Sequence, residues 1–294
     1  MAMNIIISVN EKYIEPVKTM LFSLRAHTQD EITVWNLNHS VREEKVQELT
    51  EYLQKKCHIT MQTINVGDSV FDGMSLGLPG LFSIEIYYRI LAPWLLPETV
   101  DRAAWLDADM IIRASLEDFY YQDFQGKSIV ACEDGRSVSG IDDSERLGVS
   151  KNHRYFNSGV LLMNFTKIRE KFTPAVIGAY KDKELIYPDQ DILNCMFEND
   201  LLYADYKRYN CNAHVFSALP DKKNVVILHY YGTNKPWEYR QGFDPDLEYH
   251  KVKKQQGVFM LAPYHSQISY MKKCFITKCP VGKMLYRLLK GKKQ

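Results

Sequence analysis

Residues 4–37 read NIIISVNEKYIEPVKTMLFSLRAHTQDEITVWNL, and the order of patterns in this stretch decides the fold. Asn4–Val9 is a short apolar run, the mark of a buried strand. Tyr13–Ala26 follows, with Val17, Met20, Leu21 and Leu24 at helical spacing. Ile32–Leu37 reads as a second strand. Working outward, Ser40-Val41-Arg42-Glu43 has the pattern of a capping box, which predicts a helix from there to about Lys56. His58–Val66 alternates like a third strand. Strand, helix, strand, helix, strand in that order predicts a mostly parallel, Rossmann-like α/β sheet with helices on both faces.

The rest of the chain extends this pattern. Gly67–Gly80 is a glycine-rich loop, and Ser83–Leu96 reads as a helix broken near Pro93 and Pro97. Ala103–Leu106 is a fourth strand running into Asp107-Ala108-Asp109 and then Met110-Ile111-Ile112. Ser128–Cys132 and Gly159–Asn164 read as further strands. Thr166–Lys181 and Gln190–Phe197 read as helices, and Val225–His229 as a late strand. Ligands of such sheets gather at the carboxyl ends of strands. That rule directs attention to Ser8–Asn10, Asp107–Asp109, Asp134 and His229.

A hydrophobic fraction of 46% excludes wholesale disorder. The formal charge of +1 conceals a division: residues 1–250 hold 26 basic and 36 acidic groups, whereas 251–294 hold 11 basic groups and no acidic one. The sequence therefore predicts an acidic body over 1–250 and a basic, aromatic tail over 251–294. The opening residues lack the basic region and apolar length of a secretory leader. No run approaches the roughly 18 apolar residues of a membrane span. The six cysteines contain no C-x-x-C pair, which disfavours a zinc cage or disulfide framework. These features predict a cytoplasmic protein.

Three D-x-D triplets occur: Asp107/Asp109, Asp189/Asp191 and Asp244/Asp246. Only the first directly follows an apolar strand, where two carboxylates can meet one hard cation. A solvated turn is the plainer explanation of any one triplet. His229 ends the apolar run Val225–Leu228 and precedes Tyr230-Tyr231-Gly232-Thr233-Asn234-Lys235-Pro236-Trp237. Glycine lets a backbone approach a ligand closely, and Lys235 is a point charge suited to phosphate. Two carboxylates and an imidazole, completed by diphosphate oxygens, suit Mn2+ or a similar octahedral ion. Asn157, in Tyr155-Phe156-Asn157-Ser158-Gly159, reads as a polar turn that can bond sugar hydroxyls. Pro188-Asp189-Gln190-Asp191 reads as an acidic helix start.

Two other motifs lead elsewhere. Gly73-Met74-Ser75-Leu76-Gly77 matches the nucleophile elbow of serine hydrolases, but that elbow needs a strand before it and a helix after it. No G-x-G-x-x-G follows a strand, which disfavours a dinucleotide dehydrogenase.

Taken in order, the polar end of the first strand, D-x-D, F-N-S-G-V-L-L-M-N, P-D-Q-D-I-L-N and L-H-Y-Y-G-x-x-K-P-W resemble glycosyltransferase family 8 over roughly residues 4–240. That family includes bacterial lipooligosaccharide galactosyltransferases and glycogenin. The resemblance implies a GT-A fold and a UDP-galactose or UDP-glucose donor. It also implies Mn2+ (or Mg2+), a saccharide or glycolipid acceptor, and retention at the anomeric carbon. By motif, Asp107, Asp109 and His229 correspond to metal ligands. Gly232 and Lys235 correspond to diphosphate contacts. Ser8, Val9, Asn10, Tyr13, Arg89, Ala108 and Asn157 belong to the donor-binding set. Asp134, Asp189 and Gln190 flank the reacting sugar. Gln190 is an amide and a poor nucleophile, which favours front-face attack over double displacement. A non-catalytic sugar-nucleotide binding protein is a second reading, and a hydrolase using Ser75 a third.

In the tail, Pro280 precedes Val281, Met284, Leu285, Leu288 and Leu289, one apolar helical stripe with Lys283, Arg287 and Lys290 off it. A short basic amphipathic helix with nearby aromatics predicts an anchor on anionic lipid at the inner face of the membrane. The competing expectation is a last helix packed on the body. The body contains no nucleic-acid recognition module, so no nucleic-acid partner is expected.

Overall fold

The structure, a computed structural model, describes residues 2–67, 71–77, 82–232, 235–238 and 244–258. The amphipathic helix expected at 280–291 and the tail beyond 258 lie outside the described residues.

Among the described residues, ten strands form two sheets: β1 Ala2–Ile7, β2 Glu31–Asn38, β3 Thr60–Asn65, β4 Arg102–Leu106, β5 Met110–Ile112, β6 Ile129–Glu133, β7 Phe156–Asn164, β8 Leu201–Ala204, β9 Cys211–Asn212 and β10 Ile227–His229. The large sheet has seven strands in the order β3-β2-β1-β4-β7-β6-β8. Only β7 runs antiparallel to its neighbours. A three-stranded sheet, β5-β10-β9, stands beside it.

The pleat sends alternate side chains to opposite faces. Met3, Ile5 and Ile7 join Ala104 and Leu106 in one core, covered by helix Ile14–Ala26. Ile6, Ala103 and Trp105 enter the other core, beneath helices Tyr88–Leu95 and Pro188–Met196. The smaller sheet has its own cluster. Ile111, Cys211 and Leu228 pack with Phe216 and with Tyr249 and Val252 of helix Asp244–Gln255.

Several sequence expectations are corrected. Ser40 does not cap the helix, which spans Glu43–Tyr52 and continues as a π-turn over Leu53–Cys57. Its hydroxyl instead donates to Glu85 Oε1 at 2.5 Å. The helix expected over Ser83–Leu96 is a 3-10 turn, Ile84–Tyr87, followed by α-helix to Leu95. Pro93 lies inside that helix without ending it. Beyond it, the Arg169 guanidinium collects the Pro93 carbonyl that the helix end leaves over, together with carbonyls of Leu96, Pro97 and Val100 in the following turn. The expected helix Thr166–Lys181 is divided at Phe172–Thr173, before Pro174, into Phe165–Lys171 and the 3-10 segment Pro174–Tyr180. Strands β8 and β9 are too short to carry a periodic signal.

Residue 250, the expected edge of the tail, falls within helix Asp244–Gln255. Val252 is buried, Lys253 Nζ pairs with Glu15 at 3.1 Å, and Gln256 bonds Thr19, Tyr52 and the Lys18 carbonyl. The chain therefore stays docked on the body some residues past 250. Among the described residues, no helix is long and apolar enough to cross a membrane.

Candidate active site

Asp107-Ala108-Asp109 occupies the hand-over from β4 in the large sheet to β5 in the small one. Backbone pairing fixes it on both sides. Asp107 N–H donates to the Gly159 carbonyl at 3.0 Å, continuing the β4–β7 ladder. Tyr230 N–H donates to the Asp109 carbonyl at 2.9 Å, continuing the β5–β10 ladder. In that second ladder His229 lies opposite Met110. Two antiparallel pairings thus bring an aspartate pair and a histidine, 120 residues apart, to one point.

Donor atoms of Asp107, Asp109 and His229 all lie within 4.8 Å of one another. His229 Nε2 is 3.2 Å from Asp109 Oδ1 and 3.9 Å from Asp107 Oδ2. On an octahedral ion with bonds of ~2.1 Å, adjacent ligands stand about 3 Å apart and opposite ones about 4.2 Å. The observed spacings fall in that range, and one nitrogen with two carboxylates is a donor set for Mn2+ or Mg2+. A cation already sits against the pair: Lys235 Nζ contacts Asp109 Oδ2 at 2.5 Å. Burial alone would raise the Asp109 pKa. The Lys235 ammonium, joined by His229 when that ring is protonated, outweighs it and holds the carboxyl well below its usual range. Lys235 is raised in return, chiefly by Asp109 against its own burial.

Gly159 makes the close approach possible. A methyl group there would lie 2.4 Å from His229 Cε1 and 2.7 Å from Asp107 Oδ2. Only a residue without a side chain fits.

Arg89, 6% exposed, braces the floor. Its guanidinium pairs with Asp107 and with Asp189, each at 3.1 Å, donates to the Ser158 carbonyl at 2.7 Å and lies 4.7 Å from the Trp105 ring centre. Trp105 Nε1 donates to Asp107 Oδ1 at 2.9 Å. Asp189 also accepts from the Ser158 hydroxyl at 2.8 Å. Its pKa is raised, because burial outweighs Arg89.

Asn157 and Ser158, expected in a turn, lie within β7, which bulges at Ser158–Val160 opposite the Ala131/Cys132 step of β6 and so shifts the register. Asn157 Nδ2 donates to Asp134 Oδ2 and to Gln190 Oε1, both at 3.1 Å. Ser158 N–H donates to the same Gln190 oxygen at 2.9 Å. The Gln190 carbonyl is therefore engaged by donors from β7.

Ser8, Val9, Asn10, Tyr13, Arg89, Asp107, Ala108 and Asp109 line one cavity of about 410 Å³ together with Asp134, Asn157, Asp189, Gln190, Gly232 and Lys235. His229, 1% exposed, lies beneath its floor, with its ring 4.9 Å from that of Tyr231. Phe82, Ser83, Glu85, Ile86, Ser158, Tyr187 and Tyr231 complete the lining and were not singled out from the sequence. Ser158 adjoins Asn157 in a motif already quoted, and Tyr231 follows His229 in another. The 83–86 turn gives no sequence signal.

Ser75 is not part of this lining. Its hydroxyl accepts from Gly77 N–H at 3.1 Å in a turn, and β3 ends at Asn65, so the strand that an elbow requires is missing there. Gly77 itself is held against Ile186 and Pro188, with φ +63°.

Comparison with known proteins agrees with this architecture. A family model described as glycosyl transferase family 8 matches residues 4–241, and the chain belongs to that family. A lipopolysaccharide 1,2-glucosyltransferase of Escherichia coli K12 is 28% identical over 227 residues, covering 71% of this chain and 63% of the relative. Glycosyltransferase GlyA of Streptococcus pneumoniae is 25% identical over 252 residues, covering 80% of this chain and 32% of the relative. The chain thus spans less than two thirds of the length of these relatives. An active-site mutant of the enzyme LgtC superposes with a TM-score of 0.75 at 23% identity, over 90% of this chain and 99% of that one. The galactosyltransferase LgtC in complex with donor and acceptor sugar analogues superposes at 0.73. The fold is therefore GT-A.

Proposed function

We propose that this chain is a retaining, metal-dependent hexosyltransferase. It would move galactose or glucose from a UDP-sugar to a saccharide or lipid-linked saccharide. The observation that carries this reading is the convergence of Asp107, Asp109 and His229 at a cavity where, among the described residues, the other carboxylates, Asp134, Asp189 and Glu85, outnumber the cations Arg89 and Lys235. A bound divalent cation would offset most of that negative charge and favour the approach of an anionic diphosphate.

Asp107, Asp109 and His229 would hold Mn2+ or Mg2+. When bound, the ion would supply Lewis-acid stabilisation of the departing diphosphate. Lys235, at the mouth of the same site, adds a positive charge where the leaving group gains negative charge. Ser8, Val9, Asn10 and Tyr13, at the end of β1, would receive the nucleoside, with Ala108 beside them. Gly232 leaves backbone room for the phosphates. Asn157, Asp134, Asp189 and Gln190 would bind and orient the sugar. The bond from the anomeric carbon to the phosphate oxygen breaks, and its electron pair leaves with UDP. The acceptor oxygen bonds the same face, and its proton passes to the departing phosphate. Gln190 is a poor nucleophile, with its carbonyl already accepting from Ser158 N–H, and this supports front-face attack.

The test is a screen of UDP-sugars with Mn2+, following UDP release with and without lipid-sugar extracts. Transfer from UDP-galactose or UDP-glucose that stops in chelator is expected. Transfer that persists in chelator overturns the metal assignment, and a glycosyl adduct trapped on Asp189 or Asp134 overturns front-face attack.

The basic tail supports a second element of the proposal: peripheral attachment to an anionic membrane on its cytoplasmic side, where a lipid-linked acceptor would lie. Flotation with anionic vesicles should distinguish the full chain from one ending at Val258, which keeps the docked helix. Equal flotation by both removes the anchor.

A further inference from the structure

The metal proposed above needs His229 in one tautomer, with Nε2 unprotonated, and the surrounding bonds specify that tautomer. We propose that Asn210 is a positioning residue that fixes it, through a relay that begins at a backbone amide. This inference rests on the metal reading for its consequence, not for its geometry.

The relay can be followed atom by atom. Gly159 N–H, held in β7, donates to Asn157 Oδ1 at 3.0 Å. A backbone N–H can only donate, so the Asn157 carbonyl must face it. The Asn157 amide nitrogen then faces Asp134 and Gln190, both acceptors there. Asn210 Nδ2 donates to the same Asn157 oxygen at 2.9 Å. Turning the Asn210 amide over would set two carbonyl oxygens against each other. Its own Oδ1 is therefore committed to His229, 2.7 Å from Nδ1. An amide oxygen only accepts, so Nδ1 carries the proton.

The far nitrogen, Nε2, lies at the longer distance of 3.2 Å from Asp109. In the neutral ring its lone pair faces two carboxylates, an arrangement that a cation relieves and that an apolar or neutral neighbour would not. Asn210 is 3% exposed, and its position just before β9 follows from the pairing of that strand with β10. The same relay ties the metal end of the cavity, through Asn157, to Gln190 and Asp134 at the sugar end. The orienting partner of a metal-bound histidine commonly contributes 10–100-fold to metal affinity.

The experiment uses full-length protein labelled with 15N-histidine and freed of metal, with the tautomer read from the ring 15N shifts. His229→Gln assigns the resonance. The wild type is expected to show the Nδ1–H tautomer. Asn210→Leu removes the acceptor and is expected to convert His229 to Nε2–H, donated to Asp109. Its Mn2+ affinity, measured by electron paramagnetic resonance, should fall about 10–100-fold. Asn210→Asp keeps an acceptor against Nδ1 and is expected to keep the tautomer. A wild-type ring in the Nε2–H form overturns the relay, whether or not any variant folds. An Asn210→Leu protein that loses Mn2+ affinity without changing the tautomer overturns it as well. A wild type in the Nδ1–H form that binds no Mn2+ would instead refute the metal reading and leave the relay standing.

Discussion

Replacing Gly159 by Ala tests the site geometry with one added methyl group. The backbone at Gly159 carries no positive φ, so alanine introduces no conformational strain of its own. Its Cβ would fall 2.4 Å from His229 Cε1, 2.7 Å from Asp107 Oδ2 and 3.1 Å from Asn157 Oδ1. Ordinary carbon contacts begin near 3.4 Å, so the imidazole must retreat by about 1 Å. On its β4 edge strand β7 is held there by the pairing of Leu106 with Val160 and by the bond from Asp107 N–H to the Gly159 carbonyl, which opposes a compensating backbone shift. Overpacking of this kind costs about 1–3 kcal/mol, a drop of a few degrees in Tm for a domain of this size. The larger effect is on ligation. Metal–ligand distances tolerate only about 0.2 Å, so the variant should fold and yet lose most of its Mn2+ affinity. Thermal melts in chelator and in excess Mn2+ separate the two effects. The wild type should gain Tm on adding Mn2+, as mass action requires of any ligand that binds the folded state, and the variant should gain almost none. A Gly159→Ala protein that melts like the wild type and binds Mn2+ equally would refute both the close approach and the assignment of His229.

Asp109→Asn should abolish Mn2+-dependent UDP binding and nearly abolish transfer, and retained binding in calorimetry would count against the ligand set. Lys235→Ala should lower kcat more than it changes KM, and an unchanged turnover would return Lys235 to a purely structural partner of Asp109. Metal-free protein should owe part of its stability to that ion pair over a defined pH range. The depressed Asp109 pKa contributes above the ordinary carboxylate range and is lost as pH falls through the folded value. The raised Lys235 pKa contributes below the ordinary lysine range and is lost as pH rises through the folded value. Comparing Asp109→Asn with wild type in denaturant across pH should show the gap narrowing at both extremes, and a gap independent of pH would remove the electrostatic account. Arg146→Met should destabilise the fold by about 3–5 kcal/mol. It would strand Asp191, fully buried, which accepts from Arg146, the Tyr155 hydroxyl and the backbone of Ile186 and Tyr187. Denaturant melts within 1 kcal/mol of wild type would refute this.

In the parallel half of the sheet β1 and β2 were legible from their apolar runs, and the edge strand β3 from its alternation. Asn4–Val9 and Ile32–Leu37 carry apolar runs that nothing else explains. The segments of the candidate site were legible for a different reason: polar residues such as Asp107 and His229 end strands that should otherwise continue apolar. Asn157 misled for that same reason. A strand start facing a polar cavity has the composition of a turn, and only the pairing with β6 distinguishes them. Asn210 was invisible. It belongs to no periodic segment, and its role comes from a two-residue strand whose partner lies far along the chain. Ser40 had the right spacing for a cap, but a buried carboxylate from the 83–86 turn, Glu85, took its hydroxyl. Local patterns identify which residues are unusual, and long-range pairing decides what they touch.

The edge between body and tail can be located by truncation. Charge divides near residue 250, but contacts do not. A chain ending at 250 would remove Val252, the Lys253 pair with Glu15 and the Gln256 bonds to helix Ile14–Ala26 and Tyr52. Burying a valine contributes about 1.5 kcal/mol and each hydrogen bond about 1 kcal/mol. With the Lys253 pair discounted because Glu15 is largely exposed, the loss should come to roughly 4–5 kcal/mol before any fraying of the shortened helix. Tyr249 would then sit at a free terminus. It packs on Trp237, whose ring meets that of Tyr13, which lines the cavity. The truncation at 250 should therefore melt earlier and bind UDP more weakly, whereas one ending at Val258 should match the full chain in both. If the two truncations behave alike, the helix is dispensable and the boundary drawn by charge is also the boundary of the fold. If they differ as expected, the first basic residues of the tail serve the body, and any membrane role belongs to the lysines beyond 258.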